Sequence, residues 1–188
     1  MTPTDSVEPD LTKWDAWSPE EVAQRLARVE APWYVAAGWA LDLFLGGQRR
    51  EHEDLEIAVP RSRLDVFTSE LDGYELHTIS AHQTWVRERG SGKWRLDIFS
   101  EPSEGDLWIC RRDERIRLPY AEVVERTADG IPYGRPEIIL LFKAKRTRPK
   151  DEEDFAAVLP RLDSDRRRWL AGALTLAHPG HRWLPLLT

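Results

Sequence analysis

Trp33–Val59 reads WYVAAGWALDLFLGGQRREHEDLEIAV, and the succession of residue types in it decides the fold class. Trp33–Ala37 starts aromatic and β-branched, the composition of a short strand. It runs into Gly38, after which Ala40, Leu43 and Phe44 recur at helical spacing until Gly46 and Gly47 end the helix. Leu55–Val59 is a second strand, stopped by Pro60.

Outward from this unit, helices and strands alternate before helices take over. On the N-terminal side, Ser18-Pro19-Glu20-Glu21 is a capping box with Pro at the first helical position. Val22, Leu26 and Val29 then face a core, and the helix ends before Pro32. On the other side, Arg61–Leu71 has Leu64, Phe67 and Leu71 on one helical face. Strand-like runs follow at Tyr74–Ile79, Thr84–Arg89, Trp94–Phe99 and Leu107–Arg111, with Gly90-Ser91-Gly92 as a hairpin turn. Residues 112–135 carry no clear period. Pro136 opens a helix through Arg146, and Asp151–Leu159 and Ser164–Leu176 are two more. The expectation is an α+β fold: a mixed β-sheet with helices packed on it and a helical C-terminal part. Residues 18–188 read as a single domain, with its C-terminal helices from about 136, and residues 1–17 as a loose tail.

Three short stretches carry chemistry. The first is Gly38-Trp39-Ala40-Leu41-Asp42, where a strand end turns into a helix. A helix start presents unpaired N–H groups and suits a phosphate, although the same pattern also serves as a plain turn. The second is Arg50-Glu51-His52-Glu53-Asp54-Leu55-Glu56-Ile57. On a strand, Asp54 and Glu56 face one side while Leu55 and Ile57 face the core. Two readings stand: a solvated acidic edge, or two carboxylates that share a hard cation such as magnesium. The third is Trp94-Arg95-Leu96-Asp97-Ile98-Phe99, where Asp97 interrupts an apolar strand. Asp97 completes a three-carboxylate cluster if its strand neighbours that of Asp54, and otherwise is one more exposed polar group.

Taken together, these stretches resemble the aminoglycoside nucleotidyltransferases of the DNA-polymerase-β-like superfamily, and within them the 2''-type proteins. There a G-W-A-[IL]-D helix start precedes an R-x-H-[DE]-D-[IL]-[DE] strand, matched here by Gly38–Asp42 and by Arg50, His52, Glu53, Asp54, Leu55 and Glu56. Leu141-Phe142-Lys143 and Arg148-Pro149-Lys150-Asp151-x-x-Asp154 are similar to the L-x-x-K…R-P-K-D-x-x-D helix pair of small nucleotidyltransferase-like proteins. The resemblance implies magnesium held by Asp54, Glu56 and Asp97, with Asp97 also taking the acceptor's proton. It implies a nucleoside triphosphate near Gly38, Trp39, Arg50, Lys143 and Lys150, and a small-molecule hydroxyl, aminoglycoside-like, as acceptor. Two departures are visible: Gly38-Trp39 lacks the serine hydroxyl common at the phosphate turn, and Glu56 stands where Asp is commoner. Two rival readings keep the fold, a toxin-type enzyme acting on tRNA or protein and a non-catalytic descendant that binds a nucleotide or small ligand. Lys150 also has a role without any ligand, as a partner for Asp154 one turn on.

Bulk properties narrow the partners. The chain has 188 residues, 41% hydrophobic and 32% charged, which suits one globular core. A net charge of −6 argues against a general nucleic-acid binder, since phosphate neutralisation needs excess Lys and Arg. Nine Trp residues are expected to anchor the core and line a cleft. The single Cys110 excludes an internal disulfide or a multi-cysteine zinc site. Met1–Asp10 lacks a signal-peptide layout, and no apolar run reaches membrane-spanning length, so a cytoplasmic protein without membrane partners is expected.

Overall fold

The computed structural model describes residues 10–188. The capping box forms as read: Glu21 N donates to Ser18 Oγ and Ser18 N to Glu21 Oε2, opening α1 (Pro19–Arg25). There follow β1 (Tyr34–Val35), α2 (Ala37–Leu45), β2 (Glu56–Pro60), α3 (Leu64–Ser69), β3 (Tyr74–Ser80), β4 (Gln83–Glu88) and β5 (Trp94–Glu101). Next come the short strands β6 (Ser103–Glu104), β7 (Leu107–Ile109), β8 (Arg117–Pro119), β9 (Val124–Arg126) and β10 (Pro132–Gly134). The helices α4 (Pro136–Lys143), α5 (Pro149–Val158) and α6 (Ser164–Ala177) close the chain.

Seven strands form one mixed sheet in the order β3-β4-β5-β2-β1-β10-β9, and β6-β7-β8 form a small second sheet. The crossover through α3 puts β2 and β5 side by side and parallel, with Glu56 opposite Asp97, Ala58 opposite Phe99 and Pro60 opposite Glu101. On the far edge of β5, β4 runs antiparallel with Trp85 opposite Asp97. The side-chain period of two therefore gathers Glu56, Asp97, Phe99, Glu101 and Trp85 on one face.

Helix α4 explains why the C-terminal part holds to this sheet. Pro136 to Leu141 are all buried, and the helix packs on α2, α5 and α6. Trp108 and Trp183 are fully buried, each with its indole N–H donated to a glutamate: Trp108 to Glu101 Oε2 at 2.6 Å and Trp183 to Glu152 Oε2 at 2.8 Å. A large ring with one satisfied donor is what makes Trp usable as a core anchor.

Two expectations need correction. Residues 1–9 of the expected loose tail lie outside the described residues, and Asp10–Lys13 are exposed, but Trp14–Trp17 hold to the sheet. Asp15 N donates to Trp94 O at 3.0 Å, Trp17 N to Arg95 O at 3.0 Å, and Trp17 is buried. Trp14 packs edge-on against Trp85, so apolar burial overrides the polar composition of this segment. The helix expected after Gly38 begins before that glycine, at Ala37, which takes a left-handed φ of 49°. The strand-to-helix turn thus bends at alanine, at a cost of roughly 1–2 kcal/mol.

Candidate active site

Glu56 opens β2 and Asp54 lies two residues before it, and Asp97 N donates to Leu55 O at 2.9 Å, which ties β5 to this strand entry. One carboxylate oxygen from each of Asp54, Glu56 and Asp97 lies within 4.8 Å of the other two. The structure therefore brings together the three acids singled out in the sequence. Asp97 is buried; its Oδ2 accepts from Gln83 Nε2 at 2.6 Å, while its buried Oδ1 has no hydrogen-bond partner.

Such crowding is costly without a cation. Burial, with Asp54 and Asp97 alongside, pushes the Glu56 carboxyl up to about 8. Burial likewise raises Asp97 to about 7, against the hydrogen bond from Gln83, and raises Asp54. A buried carboxylate oxygen without a donor, two like charges within reach and hard oxygen ligands only form a donor set that fits magnesium.

Glu56 joins this cluster to a cleft of about 510 Å³ between the sheet face and the C-terminal helices. Its wall carries Arg111, Arg112, Lys143, Lys145, Arg146 and Arg148, against the acids Glu56, Glu101 and Asp151. A cationic cleft on a chain of net charge −6 is a local property and points to an anionic ligand. Ala36 and Ala37 at the start of α2 also line it.

The other residues singled out in the sequence divide differently. Lys143 lines the cleft, but its ammonium donates to Asp151 Oδ1 at 2.8 Å and lies 3.0 Å from Asp154 Oδ2. Gly38, Trp39, Arg50 and Lys150 are not among the cleft's lining residues. Gly38 is buried in the first turn of α2, where a Cβ would lie 2.4 Å from Arg50 Nη2 and 2.6 Å from His52 Cε1. The glycine is thus required by protein packing, whatever it does for a phosphate. Trp39 stacks on His52 at 4.6 Å, and Arg50 reaches Asp154 at 3.5 Å. Lys150 is exposed and not paired with Asp154.

Asp154 instead belongs to a network that ties the two motif blocks together. His52 Nε2 lies 2.7 Å from Asp42 Oδ2, Arg49 Nε 3.3 Å from Asp42 Oδ1, and Arg49 Nη2 2.8 Å from Asp154 Oδ1. Asp151 then joins Lys143 to Arg148, whose Nε donates at 2.9 Å. Burial opposes the Asp151 charge, but hydrogen bonds from Arg148 and Lys143 hold its carboxyl well below the usual carboxylate range.

Sequence reasoning missed Arg49, Glu101, Arg111 and Arg112. Glu101 is buried and accepts from Tyr34 Oη and Trp108 Nε1, each at 2.6 Å. The one signal available for Glu101 was the alternation that continues from Asp97 through Phe99.

Residues 20–99 match the family model of the aminoglycoside-2''-adenylyltransferases. A solved structure of ANT(2'')-Ia in complex with adenylyl-2''-tobramycin is 16% identical, with a TM-score of 0.61 over 82% of this chain and 92% of that one. A lincomycin-bound lincosamide antibiotic adenylyltransferase, LnuA, is 18% identical, with a TM-score of 0.55 over 73% of this chain and 91% of that one. Over residues 20–99 this chain resembles the aminoglycoside-2''-adenylyltransferases, and its fold is similar to that of these two enzymes. The resemblance drawn from Gly38–Asp42 and Arg50–Glu56 holds, and the family match also takes in Asp97. It stops short of Arg111, Lys143 and the Arg148–Asp154 block. No curated protein matches the sequence. Among the described residues, no helix is long and apolar enough to cross a membrane.

Two predictions arise from this geometry. In metal-free protein, Glu56 and Asp97 keep protons that the unfolded chain gives up at its ordinary values of 4.5 and 3.8. Their contribution to stability is complete below those values and is lost as pH rises toward about 7 and about 8. The melting temperature without metal should therefore fall from pH 5 to pH 8, and magnesium should raise it more at pH 8 than at pH 6. A magnesium effect that is equal at both pH values would contradict the cluster. Separately, Gly38→Ala should displace His52 from Asp42 and Trp39 at a cost of about 1–3 kcal/mol. An unchanged denaturant midpoint would show that His52 and Arg50 move aside freely.

Proposed function

We propose that this chain transfers a nucleoside monophosphate from a nucleoside triphosphate to a hydroxyl of a small molecule, with antibiotics of the kind bound by its structural neighbours as the first acceptors to try. The observation that carries this reading is the convergence of Asp54, Glu56 and Asp97 beside a cationic cleft. Asp54, Glu56 and Asp97 would hold magnesium, which when bound supplies Lewis-acid stabilisation of phosphate charge.

The chain's own groups supply the rest. The start of α2 at the cleft wall offers the positive end of a helix to a phosphate. Arginines and lysines along the cleft neutralise the triphosphate and favour charge building on the departing pyrophosphate. The acceptor oxygen forms a bond to the α-phosphorus as the bond from that phosphorus to the β-phosphate's bridging oxygen breaks. Pyrophosphate leaves with the bonding pair, and Asp97 accepts the acceptor's hydroxyl proton. A cleft of about 510 Å³ suits a nucleotide or another small ligand. Lys143 acts here by holding α4 to α5 beside Glu56, and Arg50, Trp39 and Gly38 by fixing the loop that carries Asp54.

The test is direct: incubate the protein with ATP or GTP, magnesium and pooled hydroxyl acceptors that include aminoglycosides and lincosamides. Pyrophosphate release that depends on acceptor, together with a nucleotidylated product by mass spectrometry, is the expected result. Tight triphosphate binding without turnover on any acceptor would favour a ligand-binding descendant instead.

A further inference from the structure

The turn after β7 holds two consecutive cations, Arg111 and Arg112, that line the cleft without a carboxylate in ion-pair contact among the described residues. Cys110 N donates to Ile116 O and Asp113 N to Cys110 O, so residues 110–116 close into a tight loop. Asp113, the nearest acid in the chain, accepts from Arg115 Nε at 2.8 Å and from Arg115 N at 3.0 Å. Among the described residues, neither Arg111 nor Arg112 makes an ion pair with a carboxylate. The Nε of each is buried without an acceptor. Glu101, which shares the cleft, accepts from Tyr34 and Trp108 rather than from Arg111.

Packing nevertheless holds both guanidinium groups in place. That of Arg111 lies 4.6 Å from the Phe99 ring and 5.2 Å from the Phe142 ring, and that of Arg112 lies 5.6 Å from Phe142. Cation–π contact attracts the flat face of a guanidinium and leaves its in-plane N–H groups to other partners. Phe99 is two residues beyond Asp97 on the same face of β5, roughly 6–7 Å along the strand. The arginine pair and the carboxylate cluster therefore lie along one face of the sheet, joined by the cleft that Glu56 and both arginines line. Two adjacent guanidinium groups repel, and burial together with Arg111 lowers the pKa of Arg112. A polyanion relieves that repulsion and fills the orphaned donors.

We propose that Arg111 and Arg112 form the seat of the triphosphate's distal phosphates, a binding pair built by the Phe99–Phe142 clamp outside the segment that matches the family model. The proposal rests on the nucleotidyl-transfer reading for the identity of the ligand, and the site itself binds polyphosphate. A triphosphate held there points its α-phosphorus back toward Asp54, Glu56 and Asp97. Recognition by a planar fork also favours triphosphate over monophosphate.

The experiment is calorimetric titration of wild type, Arg111→Gln, Arg112→Gln and Arg111→Lys with inorganic tripolyphosphate and, separately, with AMP, both with magnesium. Each Gln variant should bind tripolyphosphate roughly 10- to 100-fold more weakly, the scale of a lost charge-assisted contact, while AMP affinity changes little. Arg111→Lys should recover part of the loss. Unchanged tripolyphosphate affinity in both Gln variants, or an equal loss for AMP, would overturn the assignment. Wild type that binds tripolyphosphate but transfers no nucleotide would remove the catalytic reading and leave the anion site standing. Wild type that binds no polyphosphate would overturn the site itself.

Discussion

Asp54→Asn should abolish nucleotidyl transfer, by at least roughly 10²–10³-fold, the scale of removing one preorganised electrostatic contact from a reacting phosphate. The same substitution should leave the metal-free fold intact or slightly more stable. Asp54 is one of the charges that push the Glu56 carboxyl up to about 8, so its neutral isostere relieves repulsion that the folded chain alone carries. Magnesium should then raise the melting temperature of the variant much less than that of wild type. The opposite pairing, a lower metal-free melting temperature with turnover preserved, would make Asp54 a structural hydrogen-bonding residue and not a metal ligand.

Lys143→Met should produce a large loss of stability. The Lys143 side chain is 7% exposed, and it stands between Asp151 and Asp154, each 1% exposed. Removing one partner of a buried ion pair leaves uncompensated charge and costs about 3–5 kcal/mol. Arg148 still serves Asp151, and Arg49 and Arg50 still serve Asp154, so the lower end of that range is expected. For a chain of this size each kcal/mol lowers the melting temperature by about 2–4 °C. Nucleotide affinity should fall only as far as the C-terminal helices loosen. A variant with wild-type stability and strongly weakened triphosphate binding would return Lys143 to the direct phosphate contact that its motif implies.

The Lys143 case shows where a sequence is legible and where it is not. The period of two along Leu55–Val59 and Trp94–Phe99 was enough to put Asp54, Glu56 and Asp97 on defined faces. The resemblance carried by Gly38–Asp42 and Arg50–Glu56 put those strands side by side. Convergence within 4.8 Å follows from the two together. Strand β10 was hidden, because three residues between Gly130 and Pro136 show no period and owe their place to pairing with Val35. The packing of Trp14 and Trp17 was missed because polar residues surround them in sequence, while their partners Trp85 and Tyr74 lie far along the chain.

Charged residues were the hardest to assign. Arg111 and Arg112 follow a strand as surface charges often do, and nothing local indicates that Phe99 and Phe142 flank them. Likewise Asp154 looked like a helix partner for Lys150 at i+4, whereas Arg49, Arg50 and Lys143 converge on it from two other segments. In each case the ion pair is decided by tertiary approach over a long sequence separation, which spacing rules for one helix do not reach.

Asp54, Glu56 and Asp97 are proposed as a metal centre that serves a triphosphate in the adjoining cleft. Crystals grown with manganese and a non-hydrolysable ATP analogue test it most directly, by anomalous diffraction at the manganese edge. The expected result is an anomalous peak bounded by oxygens of all three carboxylates at about 2.0–2.2 Å, manganese standing in for magnesium, with the analogue's distal phosphates toward Arg111. A peak that excludes Asp97 or Asp54, or a nucleotide bound in this cleft with no metal beside the three acids, would contradict it.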